Sequence, residues 1–221
     1  LFGNENSTRI RKFLFGSVVM QDYQASAASA YAATGYTPFG AADGSFATGS
    51  PGVSGAPGNW FDLGYTSADG AKFSRAVSGD DVLGWQSRSV LRHDVTSDVL
   101  TVAFTQLETK PSVLSLYYNN LFSANSTLTA SAGINIVRPA AQTVYRSALF
   151  YGADGTGTQA NYCAVLLPYC SVSDVGEVDF NAGTETNYPF TVTAFIDQFM
   201  LSDCRVWFDG PGWRAGSTVN P

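Results

Sequence analysis

A single histidine, His93, limits the nucleophilic chemistry open to this chain, because any Ser-His-Asp or Cys-His arrangement has to use it. It stands between Arg92 and Asp94 in a stretch that reads as strand or turn, and no glycine-flanked serine elbow accompanies it. There is no Gly-Lys-Ser phosphate loop, and the glycine-rich stretches lack the strand–glycine–helix context of a dinucleotide site. Paired carboxylates are the next candidates for acid–base work, and the formal pairs are Asp80 with Asp81 and Glu177 with Asp179. Neighbours on a strand point to opposite faces, which makes Asp80 and Asp81 a poor dyad; Glu177 and Asp179 share a face but have no sign of a sugar cleft around them. The three cysteines, Cys163, Cys170 and Cys204, are odd in number and lack the short spacing of zinc ligand pairs, so unpaired buried thiols are the simpler reading. The expectation is no catalytic residue, no cofactor and no metal, hence no enzyme.

The elements that carry these residues are set by composition and pattern. In 221 residues, 45% are hydrophobic and 14% aromatic, enough for a packed core. Charged residues make up only 14%, against roughly 25% in ordinary domains. No apolar run approaches the roughly 18 residues of a spanning helix, so a membrane does not explain the missing charge. Covering by other copies of the same chain does, which predicts a homo-oligomer. The net charge of −6 is divided as −2 over residues 1–110 (8 basic, 10 acidic) and −4 over 111–221 (4 basic, 8 acidic). Such a chain should not grip nucleic acid, whose affinity comes from Lys and Arg on phosphates, although an acidic wall can let a polyanion slide past. The polar start, Leu-Phe-Gly-Asn-Glu-Asn-Ser-Thr, predicts no signal peptide.

Along the chain, residues 10–23 read as a first strand, and 24–58 change to Ala, Gly, Ser and Thr with Asp43 as the one charge. This segment is expected to be a long loop. Its aromatic residues Tyr31, Tyr36, Phe39 and Phe46 suggest ordering against a neighbouring subunit. From 59 onward, short strands at 60–66, 71–77 and 82–90 are separated by turn signals at Asp69-Gly70 and Ser78-Gly79-Asp80-Asp81. Strict alternation marks 98–107, with Leu100, Val102 and Phe104 inward, and 188–197, with Phe190, Val192, Ala194 and Ile196 inward and Asp197 outward. Pro111-Ser112 opens a helix over 111–122 with Val113, Tyr117 and Leu121 on one stripe. Further strands are expected at 142–151, 161–167, 172–180 and 204–208. The fold class is mainly β, in one domain over 1–221.

The order of motifs then carries a resemblance. Gly58-Asn59-Trp60-Phe61-Asp62-Leu63-Gly64 is followed by Ser67-Ala68-Asp69-Gly70, by Gly84-Trp85-Gln86-Ser87-Arg88 and Leu91-Arg92, and by Phe104-Thr105-Gln106-Leu107-Glu108-Thr109. The succession resembles the major tail tube proteins of long-tailed siphovirus bacteriophages that infect actinobacteria, closely over about a quarter of the chain. It continues faintly through Tyr169 to Asp197 and Gly210-Pro211-Gly212-Trp213. The resemblance implies a β-sandwich or barrel-like tail tube fold with one flanking helix and, here, the long 24–58 insertion. It also implies hexameric rings whose inward hairpins line a hollow tube, stacked into a virion tail that is assembled in the host cytoplasm. The implied partners are the chain itself, the tape-measure protein, the tail-end proteins, and DNA in transit without sequence-specific contacts.

Within that frame Trp60, Trp85 and Trp213 have the size of core or interface anchors, and Arg88, Arg92 and Glu108 are candidates for interface ion pairs. Asp80 and Asp81, at the tip of the expected hairpin, are the candidate lumen carboxylates. Two alternatives stay open from sequence. One is another virion ring protein, such as a tail terminator, distal tail or decoration protein. The other is a secreted carbohydrate-binding β-sandwich, which signal peptides, paired cysteines or calcium-type Asp clusters would favour.

Overall fold

The computed structural model describes residues 10–33, 36–40, 60–122 and 135–217. Eight strands form one antiparallel sheet: β1 Phe15–Asp22, β2 Phe61–Asp62, β3 Lys72–Leu83, β4 Val90–Gln106, β5 Tyr145–Asp154, β6 Asn161–Val175, β7 Tyr188–Ala194 and β8 Arg205–Asp209. Their order is β2-β1-β5-β6-β7-β4-β3, with β8 added to β6. The mainly β class expected from the alternating segments, and the sandwich-like fold that the resemblance implies, are the ones observed.

β6 makes the sheet fold over on itself. Its first part, Tyr162–Leu166, pairs with β8 and its last part, Cys170–Val175, pairs with β7, while β5 runs along its other edge from Asn161 to Ser171. Pro168 falls in the gap between the two partners, where its missing N–H costs no ladder bond. Opposite it the β5 register shifts at Ser147, whose hydroxyl donates to the Pro168 carbonyl at 2.7 Å. The folded sheet encloses a core in which Val18, Met20 and Phe150 meet Val102, Phe104 and Phe190. The Phe104 ring lies 5.6 Å from both Phe150 and Phe190.

The first helix expected, 111–122, is shorter than its stripe suggests: α2 spans Pro111–Tyr117, with Val113 and Leu116 buried. Asn119, at φ +57, turns the chain left-handed and ends the helix, which leaves Leu121 45% exposed. The expected loop 24–58 begins with another helix, α1, Ala25–Ala32, in which five of eight residues are the strongest helix former, alanine. Ala27, Tyr31, Phe39 and Trp60 cover the reverse face of β1, β5 and β6 through Val19, Leu149 and Leu166, so those strands are buried on both sides. Tyr31 and Tyr36 pack within their own chain. The Tyr31 carbonyl takes an Arg205 Nη1 hydrogen bond at 2.6 Å, and the Tyr36 carbonyl takes Trp207 Nε1 at 3.2 Å. Phe46 and the rest of 41–58 lie outside the described residues. A third helix, α3 Pro211–Ser217, follows β8.

Two inward and outward assignments fail at the end of β7. The strand stops at Ala194, after which Ile196 is 72% exposed and Asp197 is buried. The Asp197 carboxylate accepts the backbone N–H groups of Phe199 and Met200, each at 2.9 Å, and the Tyr23 hydroxyl at 2.9 Å. It folds the chain into a turn that simple alternation does not anticipate.

Candidate assembly surface

β4 pairs with β7 only from Thr101 to Gln106. β3 and the first part of β4, Val90 to Leu100, consequently stand clear of the body as a two-stranded ribbon, and among the described residues neither of its outer edges is paired. Eleven strand residues at about 3.3 Å each make it about 35 Å long. The turn at its tip is Gly84 to Ser89, closed by Gly84 N–H to Ser89 O at 2.9 Å and Arg88 N–H to Gly84 O at 2.7 Å. Arg88 sits there at φ +51, and Trp85 is 93% exposed.

The ribbon is amphipathic. Phe73 is opposite Val102 and meets Phe150 edge-on at 5.3 Å, so its side of the ribbon continues the core face. Along that side Val77 and Val95 are exposed. The polar side chains on it are held in pairs: Arg75 Nε reaches Asp98 Oδ1 at 2.8 Å with a second, shorter contact from Nη2, and His93 Nδ1 lies 2.5 Å from Asp81 Oδ1. The Arg75 guanidinium holds the Asp98 carboxyl below the usual carboxylate range. On the other side Asp80 is paired directly opposite Asp94, a repulsive register that Arg92 offsets by donating Nε to Asp94 Oδ1 at 2.5 Å.

These positions revise the expected hairpin. Residues 78–81 are not a turn. Gly79 to Leu83 continue β3, the register shifts between Ser78 and Gly79, and the tip comes five residues later. Gly79 is needed for close approach, since a Cβ there would meet the Asp94 carbonyl and the His93 ring, both at 2.6 Å. Asp80 and Asp81 therefore lie near the tip on opposite faces, and Asp81 is engaged by His93.

Of the other sequence candidates, Trp60 is 7% exposed and belongs to the core, stacked in tilted fashion 6.1 Å from Tyr31. Glu108 also turns inward to its own chain. It accepts the Tyr65 N–H at 2.8 Å and pairs with Lys110 at 3.1 Å, and the Tyr65 bond and then Lys110 hold its carboxyl low. Trp213 remains 41% exposed on α3, stacked 5.2 Å from Phe208. Trp85, Arg88 and Arg92 share the ribbon tip; Trp213 lies on a different element. Glu177 and Asp179 follow β6 in an irregular stretch.

Sequence reasoning missed a cluster of rings formed by Tyr23, Tyr145, Tyr169 and Phe195. Tyr145 stacks on Tyr169 at 4.4 Å, Tyr23 meets Tyr169 at 4.7 Å, and Phe195 lies 6.1 Å from both Tyr145 and Tyr169. Burial and the Asp197 hydrogen bond push the Tyr23 hydroxyl up to about 12. The four rings come from the start of β5, the interior of β6 and the residues just after β1 and β7, so only topology assembles them. It missed Arg146 as well, a buried guanidinium that donates to the Asn120 carbonyl at 2.7 Å and to Asn119 Oδ1 at 3.3 Å and lies over the Phe122 ring.

Among the described residues no group of His, Cys, Asp and Glu could hold a metal ion, and no helix is long and apolar enough to cross a membrane. Comparison with curated proteins gives no match. Among solved structures, a chain in the cryo-EM structure of the anti-feeding prophage baseplate, 6-fold symmetrised, is similar at 12% identity. The match has a TM-score of 0.38 and covers 69% of this chain and 85% of that one. The family model described as phage tail tube protein matches residues 22–207, a span that takes in the ribbon, α2 and the strands β2 to β7. The chain belongs to the phage tail tube protein family.

Proposed function

We propose that the chain is the repeating subunit of a hollow tail tube, built as stacked hexameric rings, through which phage DNA passes during ejection. The observation that carries the reading is the ribbon of β3 and Val90–Leu100, with two open edges and an uncovered apolar face. One edge runs up and the other down, so the β3 edge of one copy is the antiparallel complement of the β4 edge of the next. Repeated around a ring, that heterologous contact closes and leaves no edge free. The tip residues Trp85, Arg88 and Arg92, with Trp213 on α3, are the exposed anchors for lateral and ring-to-ring contacts. Tape-measure and tail-end proteins are the remaining partners, assembly takes place in the host cytoplasm, and the phage is of the long-tailed type that infects actinobacteria. None of these roles requires bond chemistry from the chain.

Negative-stain electron microscopy of the concentrated protein tests this directly. Hollow tubes or stacked rings of uniform diameter are expected. Single rings that never stack would favour a terminator or distal ring protein, and single particles with or without a tail-tip initiator complex would remove the tube reading.

A further inference from the structure

The face of β6, β7, β4 and β3 that points away from the core has an unusual chemistry. Ser74 pairs with Thr101, Thr101 with Thr193, and Thr193 with Ser171, which places four hydroxyl residues in one line across four strands. At about 4.8 Å per strand the line is about 14 Å long. The next row toward the base runs Lys72, Ala103, Thr191 and Asp174, and toward the ribbon tip Ala76 pairs with Val99 and then Ser78 with Ser97. Charges flank the line on both sides, at Lys72 with Asp69 and at Asp174 toward the base, and at the Asp80, Asp94 and Arg92 group toward the tip. An exposed strand face of an ordinary soluble domain carries Lys and Glu, which keep it soluble and unpaired. Here the central line carries no charge.

At Thr101, Thr96 and Ser173 the hydroxyl protons are directed back into the sheet. Thr101 Oγ1 donates to the Ser74 carbonyl at 3.4 Å, and Thr96 Oγ1 donates to the Ser78 carbonyl at 3.2 Å. Beside them Ser173 Oγ donates to the Thr191 carbonyl at 3.2 Å. With the protons used in this way, the oxygens present lone pairs outward, which accept hydrogen bonds from water and offer nothing to a phosphate oxygen. Lys or Arg at these positions would hold a polyanion through counterion release, and large apolar groups would present a dry surface.

We infer that this hydroxyl face is the lining of the channel, and that duplex DNA passes it across a layer of water bound to acceptor oxygens. The inference rests on the tube reading above and deepens it. It replaces a wall of carboxylates with a neutral line that Asp80, Asp94 and Asp174 flank, while Asp81 belongs to the apolar side with His93.

Cysteine labelling of assembled tubes separates the arrangements. Ser74→Cys and Thr193→Cys sample the hydroxyl face, Val77→Cys and Val95→Cys the apolar face, each checked by electron microscopy for tubes. The native thiols give the background rate. Each tube preparation is exposed to a small maleimide and, separately, to a maleimide carried on a folded protein too wide for the channel. At least one hydroxyl-face variant should label with the small reagent at nearly its free-subunit rate and not with the wide one. The apolar-face variants should label at least about tenfold more slowly in tubes than as subunits, as expected where reaction needs local opening. Labelling of the hydroxyl face by the wide reagent would place it on the outside, and its protection from both would mean that a second copy covers it; either result overturns the inference and leaves the tube standing. If the native protein forms no tubes, the proposed function fails and this inference with it.

Discussion

Trp85→Ala at the ribbon tip separates assembly from folding. In the subunit the Trp85 side chain is 93% exposed, and the turn that holds it is closed by backbone bonds from Gly84 and Arg88 that do not involve the indole. Truncation should leave the thermal midpoint of the unassembled subunit unchanged. A tryptophan offers about 200 Å² for burial; if a neighbour covers half of it, about 100 Å² at about 25 cal/mol per Å² contributes about 2.5 kcal/mol. A loss of that size raises the subunit concentration needed for assembly by roughly 60-fold. The assay is the soluble subunit concentration left after sedimenting tubes, measured across a dilution series, beside a thermal melt of the unassembled variant. Trp85→Phe should keep more than half of the effect, because an aromatic ring still fills the contact. A critical concentration within about threefold of the native value, with the melt unchanged, would show that the ribbon tip is not a contact and refute the reasoning.

Further outcomes follow from the interior. Arg146→Met removes the guanidinium from the Asn120 carbonyl and from Asn119 while the Phe122 ring stays covered, and should lower unfolding free energy by about 3 kcal/mol in chemical denaturation. Burial holds the Arg146 guanidinium below its ordinary range, so a neutral replacement of similar length is the gentlest test of the bonds it makes. Asp98, Glu108 and Asp209 have carboxyls lowered by Arg75, by the Tyr65 N–H and by Arg214. Their folded values lie below the unfolded ones, so their stabilisation is complete above the ordinary carboxylate range and is lost as pH falls through the lowered values. The thermal midpoint should hold down to about pH 4 and drop below it, and Glu108→Gln should reduce that drop. Burial pushes Cys170 up to about 12 and Cys163 and Cys204 up to about 11. A thiol-disulfide reagent at neutral pH should find almost no reactive thiol in the folded chain and all three after unfolding.

What could be read from sequence was what alternation alone decides. Val102 and Phe104, and Phe190 and Val192, face the core as their period-two spacing requires, and Pro111 opens α2 where the sequence places it. Segments failed where composition and conformation part company. Ser78-Gly79-Asp80-Asp81 has the residues of a turn, but Gly79 serves the close approach of His93 across a bulge. Ala25–Ala32 has the composition of a linker, and became a helix because small residues let it lie flat on β5 and β6 with Tyr31 inserted. Trp60 and Trp85 are the same residue type in similar glycine-rich surroundings, yet one is core and one is exposed. Only the folding of α1 and residues 36–40 over the body distinguishes them. Arg146 had no local signal at all, since its partners come from the end of α2, about 26 residues away in sequence.

An exposed twelve-residue edge strand with apolar side chains is, in most proteins, an invitation to indiscriminate aggregation. In β3 two features restrict which partner it can accept. The ladder with β4 is broken between Ser78 and Gly79 and again between Val82 and Leu83, and each break bends and twists the ribbon so that a flat, generic strand cannot follow its edge. Its charges are committed within the ribbon, Arg75 to Asp98 and Asp81 to His93, so a partner that shifts the register by one residue would turn the apolar side chains outward and gain no new ion pair in return. In the proposed ring the strand that meets this edge is the β4 edge of another copy, which belongs to the same bent hairpin. Self-assembly in that proposal is a fit between two edges of one hairpin, and the hydroxyl face is what remains once the apolar face is covered.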